Sequence, residues 1–227
     1  MRILTALLIL AFSFPLVGHT ARAHPSLLDS VRPLSQIVST DHTTRIQAYR
    51  NICTVSSINA ALRLWLAVAH CAIDEIIHTD GSTTVAPITG LTIMGHLAFV
   101  VKIDTEIDLA ILFVPGLSLP ALRLASKGPF WEDEIRAVGY PFGYPDVTIT
   151  AGTVSNPNST LDSNPRFAPS YMLVTALVAP GSSGSPVVNS RGEIVSVLQI
   201  GWGRGYSPGG GATYARLKAF AGEYFER

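Results

Sequence analysis

The chain has 227 residues, 48% hydrophobic and only 14% charged, with 16 basic side chains against 16 acidic ones. That balance belongs to a folded globular chain and excludes a disordered one, which is poor in apolar residues and rich in charge. A formal net charge of zero, with no basic run, leaves neither field nor patch to attract nucleic acid.

At the N-terminus, Arg2 precedes a mostly apolar stretch, residues 3–17, broken by Pro15. Ala21-Arg22-Ala23 follows with the small-x-small pattern of a signal-peptidase site. The apolar stretch falls short of the roughly 20 residues that span a bilayer. Residues 1–23 therefore read as a cleaved secretory signal, and the protein is expected to be secreted or periplasmic, with no stable membrane insertion. Residues 24–44 show little periodicity and read as a pro-segment or an N-terminal arm. Export bears on the two cysteines, Cys53 and Cys71. In an oxidising compartment an isolated pair is expected to bond. The bridge closes a loop of about 19 residues, worth about 3 kcal/mol in the chain-entropy description.

The rest reads as all-β. Short β-rich runs recur at 45–57, 62–68, 73–79, 83–88, 96–103 and 109–114, separated by Gly, Pro, Asn, Asp and Ser. A Pro-, Gly- and Ser-rich linker at 115–129 follows. Six further runs occupy 134–139, 147–155, 171–178, 186–189, 193–200 and 212–215. Six runs on each side of a linker fit two six-stranded antiparallel β-barrels packed side by side, at about 45–114 and 130–218. In 214–225, Leu217, Phe220, Ala221, Tyr224 and Phe225 follow a 3.6-residue period, which predicts a short C-terminal helix.

Three local contexts carry chemistry. Pro180-Gly181-Ser182-Ser183-Gly184-Ser185-Pro186 is a tight turn offering a hydroxyl. A serine needs a base within reach and donors for the oxyanion formed on attack. Gly181 permits backbone conformations closed to other residues, so the N–H groups of Gly181 and Ser183 can face one hollow. His70 ends the apolar run 64–69 beside Cys71, and can take and return the serine proton. Asp108 opens the apolar strand 109–114, where a carboxylate is costly without partners; an imidazole N–H is one. Asp104 and Glu106 are rivals, but the apolar run starts directly after Asp108. The order His, Asp, Ser points to acyl transfer and excludes the α/β-hydrolase order. His19, His24, His42, His78 and His96 lack ligand spacing, so no metal and no cofactor are expected.

These segments resemble the chymotrypsin/trypsin-like serine peptidase family. Ala67-Val68-Ala69-His70-Cys71, Asp108-Leu109-Ala110-Ile111-Leu112 and Gly181-Ser182-Ser183-Gly184-Ser185-Pro186 match its three motifs, and the resemblance covers roughly residues 44–220. It implies a double β-barrel with the site in the cleft between barrels, acting on protein or peptide substrates. Val138-Gly139-Tyr140-Pro141-Phe142-Gly143 and Thr150-Ala151-Gly152-Thr153-Val154-Ser155 resemble HtrA-type peptidases. Ile200-Gly201-Trp202-Gly203 resembles the staphylococcal glutamyl-endopeptidase branch. An inactive binding protein on the same fold is the alternative, but such proteins usually lose a triad residue and this chain keeps all three.

Two departures matter. The trypsin branch carries an aspartate before the nucleophile, which pairs with a freed amino terminus; here Ser182 stands there, and Ile37-Val38 is followed by Ser39-Thr40. No trypsin-style activation switch is expected. The charged readers of the trypsin and glutamyl branches are replaced by Leu177 and Gly201. A primary pocket built from Leu177, Val178, Gly201, Trp202 and Gly203 is uncharged, and is expected to favour apolar or small side chains.

Overall fold

The computed structural model describes residues 25–41, 46–77, 83–160, 170–203 and 205–226. The expected signal segment lies outside these. The first lobe holds a short helix α1 (Pro25–Ser30) and nine strands. They are β1 (Val31–Asp41), β2 (Ile46–Asn59), β3 (Leu64–Ala67), β4 (Ile73–Ile77), β5 (Thr83–Pro87), β6 (Leu91–Ile93), β7 (His96–Leu97), β8 (Phe99–Asp104) and β9 (Leu109–Phe113).

Seven of these form one sheet in the order β7-β6-β1-β2-β3-β9-β8, while β4 and β5 pair as a separate ribbon. This corrects the expectation of a closed six-stranded first barrel. The sheet gains β1 and β6, loses β4 and β5, and is curled rather than closed by a ladder. Its two edge strands, β7 and β8, are joined by the single residue Ala98, whose N–H donates to Leu91 O at 2.8 Å. A one-residue link between opposite edges forces the sheet to curl. The stretch at 24–44, where little pattern was visible, is built into this lobe over its described part. β1 runs antiparallel to β2 and β6, and Leu27, Val31 and Leu34 are buried.

The second lobe is a closed six-stranded barrel, β10-β11-β12-β15-β14-β13, as expected. Its strands are β10 (Glu134–Gly139), β11 (Thr148–Ser159), β12 (Tyr171–Val178), β13 (Pro186–Val188), β14 (Ile194–Gly201) and β15 (Ser207–Ala212). The last strand lies upstream of the predicted 212–215, because Ser-Pro-Gly-Gly-Gly-Ala carries no strand signal of its own. The glycines answer to close packing: a Cβ on Gly209 would stand 2.7 Å from Val178 Cγ2.

The linker runs against both lobes. Leu122 N–H donates to Ser57 O in the first, and Ala125 N–H to Ile194 O in the second, at 2.8 and 2.9 Å. Helix α2 (Tyr214–Ala221) buries Leu217, Phe220 and Ala221 and leads the chain back to the first lobe. There Lys102 Nζ donates to Phe220 O at 2.8 Å and lies 4.8 and 5.0 Å from the Phe220 and Tyr224 rings. A cation at a helix C-terminus complements the dipole. Its ion pair with Glu223, 3.6 Å away and 72% exposed on the acid side, adds little.

Replacing Lys102 with Met should therefore lower stability by about 1–2 kcal/mol, through the lost charged hydrogen bond and cation–π contacts. Urea unfolding checks this; an unchanged midpoint would mean that α2 is held by apolar packing alone.

Candidate active site

β3 is buried along its whole length and delivers the chain into a 3₁₀ turn, Ala69–Cys71. Cys71 is bonded to Cys53 on β2, with Cα atoms 6.3 Å apart. His70 sits between a buried alanine and this bridge, yet its side chain is 43% exposed. The turn thus fixes the main chain and turns the imidazole outward.

Asp108 meets it there. Its Oδ1 accepts the His70 main-chain N–H at 2.8 Å, and its Oδ2 lies 2.8 Å from His70 Nδ1. One carboxylate therefore grips both the backbone and the ring. Because a carboxylate oxygen accepts, Nδ1 carries a proton, and in the neutral ring Nε2 is the nitrogen left with a lone pair. Asp108 itself has φ +54°, a left-handed conformation that Asp tolerates better than most residues. Gln199, on β14 of the other lobe, holds it so: its Nε2 donates to Ile107 O at 2.6 Å and Asp108 O at 2.9 Å. Burial, aided by the nearby Asp108 charge, pushes the Tyr171 phenol up to about 12. The rivals have other work. Asp104 Oδ1 accepts the Glu106 and Ile107 N–H groups at 3.0 and 3.2 Å, and Glu106 is exposed.

The serine turn follows β12. Gly181 and Gly184 have φ +94° and +85°. A Cβ on Gly181 would stand 2.6 Å from Tyr140 O, and one on Gly184 would overlap Thr54 O. Ser182 is buried, and its Oγ accepts the Ala179 N–H at 3.3 Å, so the site of the trypsin-branch aspartate is filled by a neutral local contact. Ser183 O accepts the Thr54 N–H at 2.8 Å. Thr54 follows Cys53, and an imidazole nitrogen of His70 lies within 4.8 Å of both bridge sulfurs. Ser183 and His70 are thus tied to adjacent residues of one strand. The trio Cys53, His70, Cys71 is not a metal set, since the two sulfurs are bonded to each other.

Phe142 N–H donates to Pro180 O at 2.5 Å. In a trans peptide the C=O and the following N–H point opposite ways. The Gly181 N–H is therefore aimed away from Phe142.

Beside Ser183 lies a cavity of about 120 Å³, with Val178, Leu198, Ile200, Gly201 and Gly203 in its wall and no charged side chain among the described residues that line it. Of the five expected pocket residues, Val178, Gly201 and Gly203 line this cavity and Leu177 and Trp202 do not. Leu177 is 48% exposed because strand alternation sends it outward where Val178 points in. Trp202, 51% exposed, lies past the end of β14. Ile200 and Leu198 take their place. Sequence reasoning also missed Thr54, Phe142 and Gln199. Gln199 had a signal, as a long polar side chain in the apolar run 194–200, which demands a partner.

The sequence profile of the trypsin-like peptidase domain matches residues 68–197, more than half of the chain. The chain belongs to the trypsin-like peptidase family. Probable periplasmic serine endoproteases of the DegP-like type are among its relatives: that of Ectopseudomonas mendocina (strain ymp) is 36% identical over 95 residues, 41% of this chain and 19% of the relative. That of Pseudomonas putida (strain F1 among its designations) is 35% identical over 101 residues, 44% of this chain and 20% of the relative. The match thus spans about a fifth of the length of these relatives. Among solved structures, the Rv3671c protease from M. tuberculosis in its active form superposes with a TM-score of 0.63 at 20% identity, over 87% of this chain and 81% of that one. The HtrA-type protease AlgW with a decapeptide gives 0.63 at 22% identity, over 85% of this chain and 63% of that one. At such identities the superpositions speak for the shared fold.

Replacing both Cys53 and Cys71 with Ala should destabilise the protein by about 3 kcal/mol. Guanidinium denaturation measures this, and an unshifted midpoint would show that the bridge constrains nothing.

Proposed function

We propose that this protein is an exported serine endopeptidase with Ser183 as nucleophile. The observation that carries the reading is the double grip of Asp108 on His70, through main chain and ring, each at 2.8 Å. That grip leaves Nε2 free to accept the Ser183 hydroxyl proton as Oγ attacks a peptide carbonyl. The carbonyl electrons move onto oxygen, and the N–H groups of Gly181 and Ser183 receive the negative charge. His70 then hands its proton to the leaving amine, which departs and leaves an acyl-enzyme. Water, deprotonated by His70, attacks the ester and releases the acid.

Several features support the rest of the reading. The relatives' names place them in the periplasm, and among the described residues no helix is long and apolar enough to cross a membrane. Residues 1–23 act as the signal, and 25–41 remain part of the working domain, since Leu27, Val31 and Leu34 are buried in it. The seven-stranded sheet serves as the first barrel, its edges brought together by the Ala98 link. Substrates are proteins or peptides, and the uncharged pocket of about 120 Å³ takes small or medium apolar side chains.

A fluorophosphonate probe should label the purified protein at Ser183, and Ser183→Ala should abolish labelling and lower turnover by about 10⁴–10⁶-fold with the fold intact. His70→Ala should cost about as much. An unlabelled, inactive parent protein would instead identify a binding protein on a peptidase fold. Cleavage of a peptide library should concentrate after Ala, Val or other apolar residues; cleavage after Arg, Lys or Glu would refute the pocket assignment.

A further inference from the structure

Thr54 is fully buried on β2 and belongs to the first lobe, yet most of its polar contacts are with the second. Its hydroxyl donates to Gly181 O at 2.9 Å and accepts the Tyr140 N–H at 3.0 Å. Its main-chain N–H donates to Ser183 O at 2.8 Å. Its carbonyl oxygen occupies the space a side chain on Gly184 would need. One residue thus touches Gly181, Ser183 and Gly184 of the serine turn.

The two peptides flanking Gly181 are then both pinned. Phe142 N–H holds the carbonyl of the first, and the Thr54 hydroxyl holds the carbonyl of the second. A glycine has little intrinsic preference for φ +94° over other values, so these outer contacts decide where its N–H points. Tyr140 precedes the 3₁₀ turn that contains Phe142, so the same hydroxyl also anchors the other clamp. A hydroxyl is the group required: it has a proton for Gly181 O and a lone pair for the Tyr140 N–H.

We propose that the Thr54 hydroxyl is a positioning residue for the oxyanion site, aiming the Gly181 N–H from across the cleft. This rests on the peptidase reading above. Without the hydroxyl, the buried Tyr140 N–H and the partly buried Gly181 O both lose this partner, and the turn is free to rotate away. The loss falls on the transition state, where charge appears on the substrate oxygen, and spares ground-state binding.

The test uses the full mature protein as T54V, T54A and T54S. Peptide hydrolysis and inhibition by a peptide aldehyde, whose hemiacetal oxygen fills the oxyanion site, are measured beside thermal unfolding. For T54V and T54A, kcat should fall about 10–100-fold, KM should stay within about threefold, and aldehyde affinity should drop by the same factor as kcat. T54S keeps the hydroxyl and should stay within about threefold of the parent in all three. Parental kcat and aldehyde affinity in T54V, or a loss in T54S as large as in T54V, would overturn the proposal. If T54V and T54A do not fold, T54S decides: parental aldehyde affinity supports the role, and a loss of about tenfold or more overturns it. Absence of turnover and probe labelling in the parent protein would overturn the peptidase reading and this one with it. An active parent with an unaffected T54V overturns this one alone.

Discussion

Cys53 and Thr54 stand side by side on β2, and between them they tether the two halves of the site. The disulfide from Cys53 fixes Cys71, and with it the turn that presents His70. The main-chain N–H of Thr54 holds the carbonyl of Ser183. A covalent bond and a hydrogen bond from adjacent residues thus hold the turn that carries His70 and the main chain of Ser183. Crossing the cleft the other way, Gln199 of the second lobe holds the main chain at Asp108 of the first. On the proposed reading each lobe carries part of the chemistry, and each is held by a side chain of its neighbour.

Among the described residues five non-glycine positions have positive φ, and two of them lie at this site. Asp108 and Phe142 both have positive φ, at +54° and +56°, costing about 1–3 kcal/mol each for side chains that disfavour it. Such residues persist only where their surroundings over-determine them. Asp108 has His70 on its carboxylate and Gln199 on its carbonyl. Phe142 has Pro180 O on its N–H and its ring edge-on to Tyr206, 5.4 Å between centroids. In both cases a hydrogen-bonded neighbour holds the strained residue in place. Net stability here is secondary to direction, which is what an attack on a carbonyl requires.

The parts of this arrangement legible in the sequence were those written locally. His70 beside a cysteine, Asp108 at the mouth of an apolar run and Ser183 in a glycine-rich turn each announce themselves over a few residues. The disulfide followed from counting cysteines in a chain read as exported. What escaped was written in register and in space. β15 is a glycine run that becomes a strand because neighbouring backbones approach too closely for side chains. β1, broken by Pro33 and a series of polar residues, shows no period, but it finds a long partner in β2 and a short one in β6. Leu177 and Val178 differ only in which face of β12 they occupy, and a one-residue shift reverses that. Thr54 sits among serines with nothing local to mark it, since its role depends on contacts 86 and 127 residues away.

The central claim is that Ser183, His70 and Asp108 converge in one cleft and act on a carbonyl held by the Gly181 and Ser183 amides. A crystal structure of the protein with a peptide boronate tests it most directly. Boron should be bonded to Ser183 Oγ, with one boronate oxygen about 2.7–3.1 Å from both amide nitrogens and His70 Nε2 within about 3.2 Å of the adduct. Boron elsewhere, or an adduct whose oxygen faces solvent while His70 points away from Ser183, would contradict it.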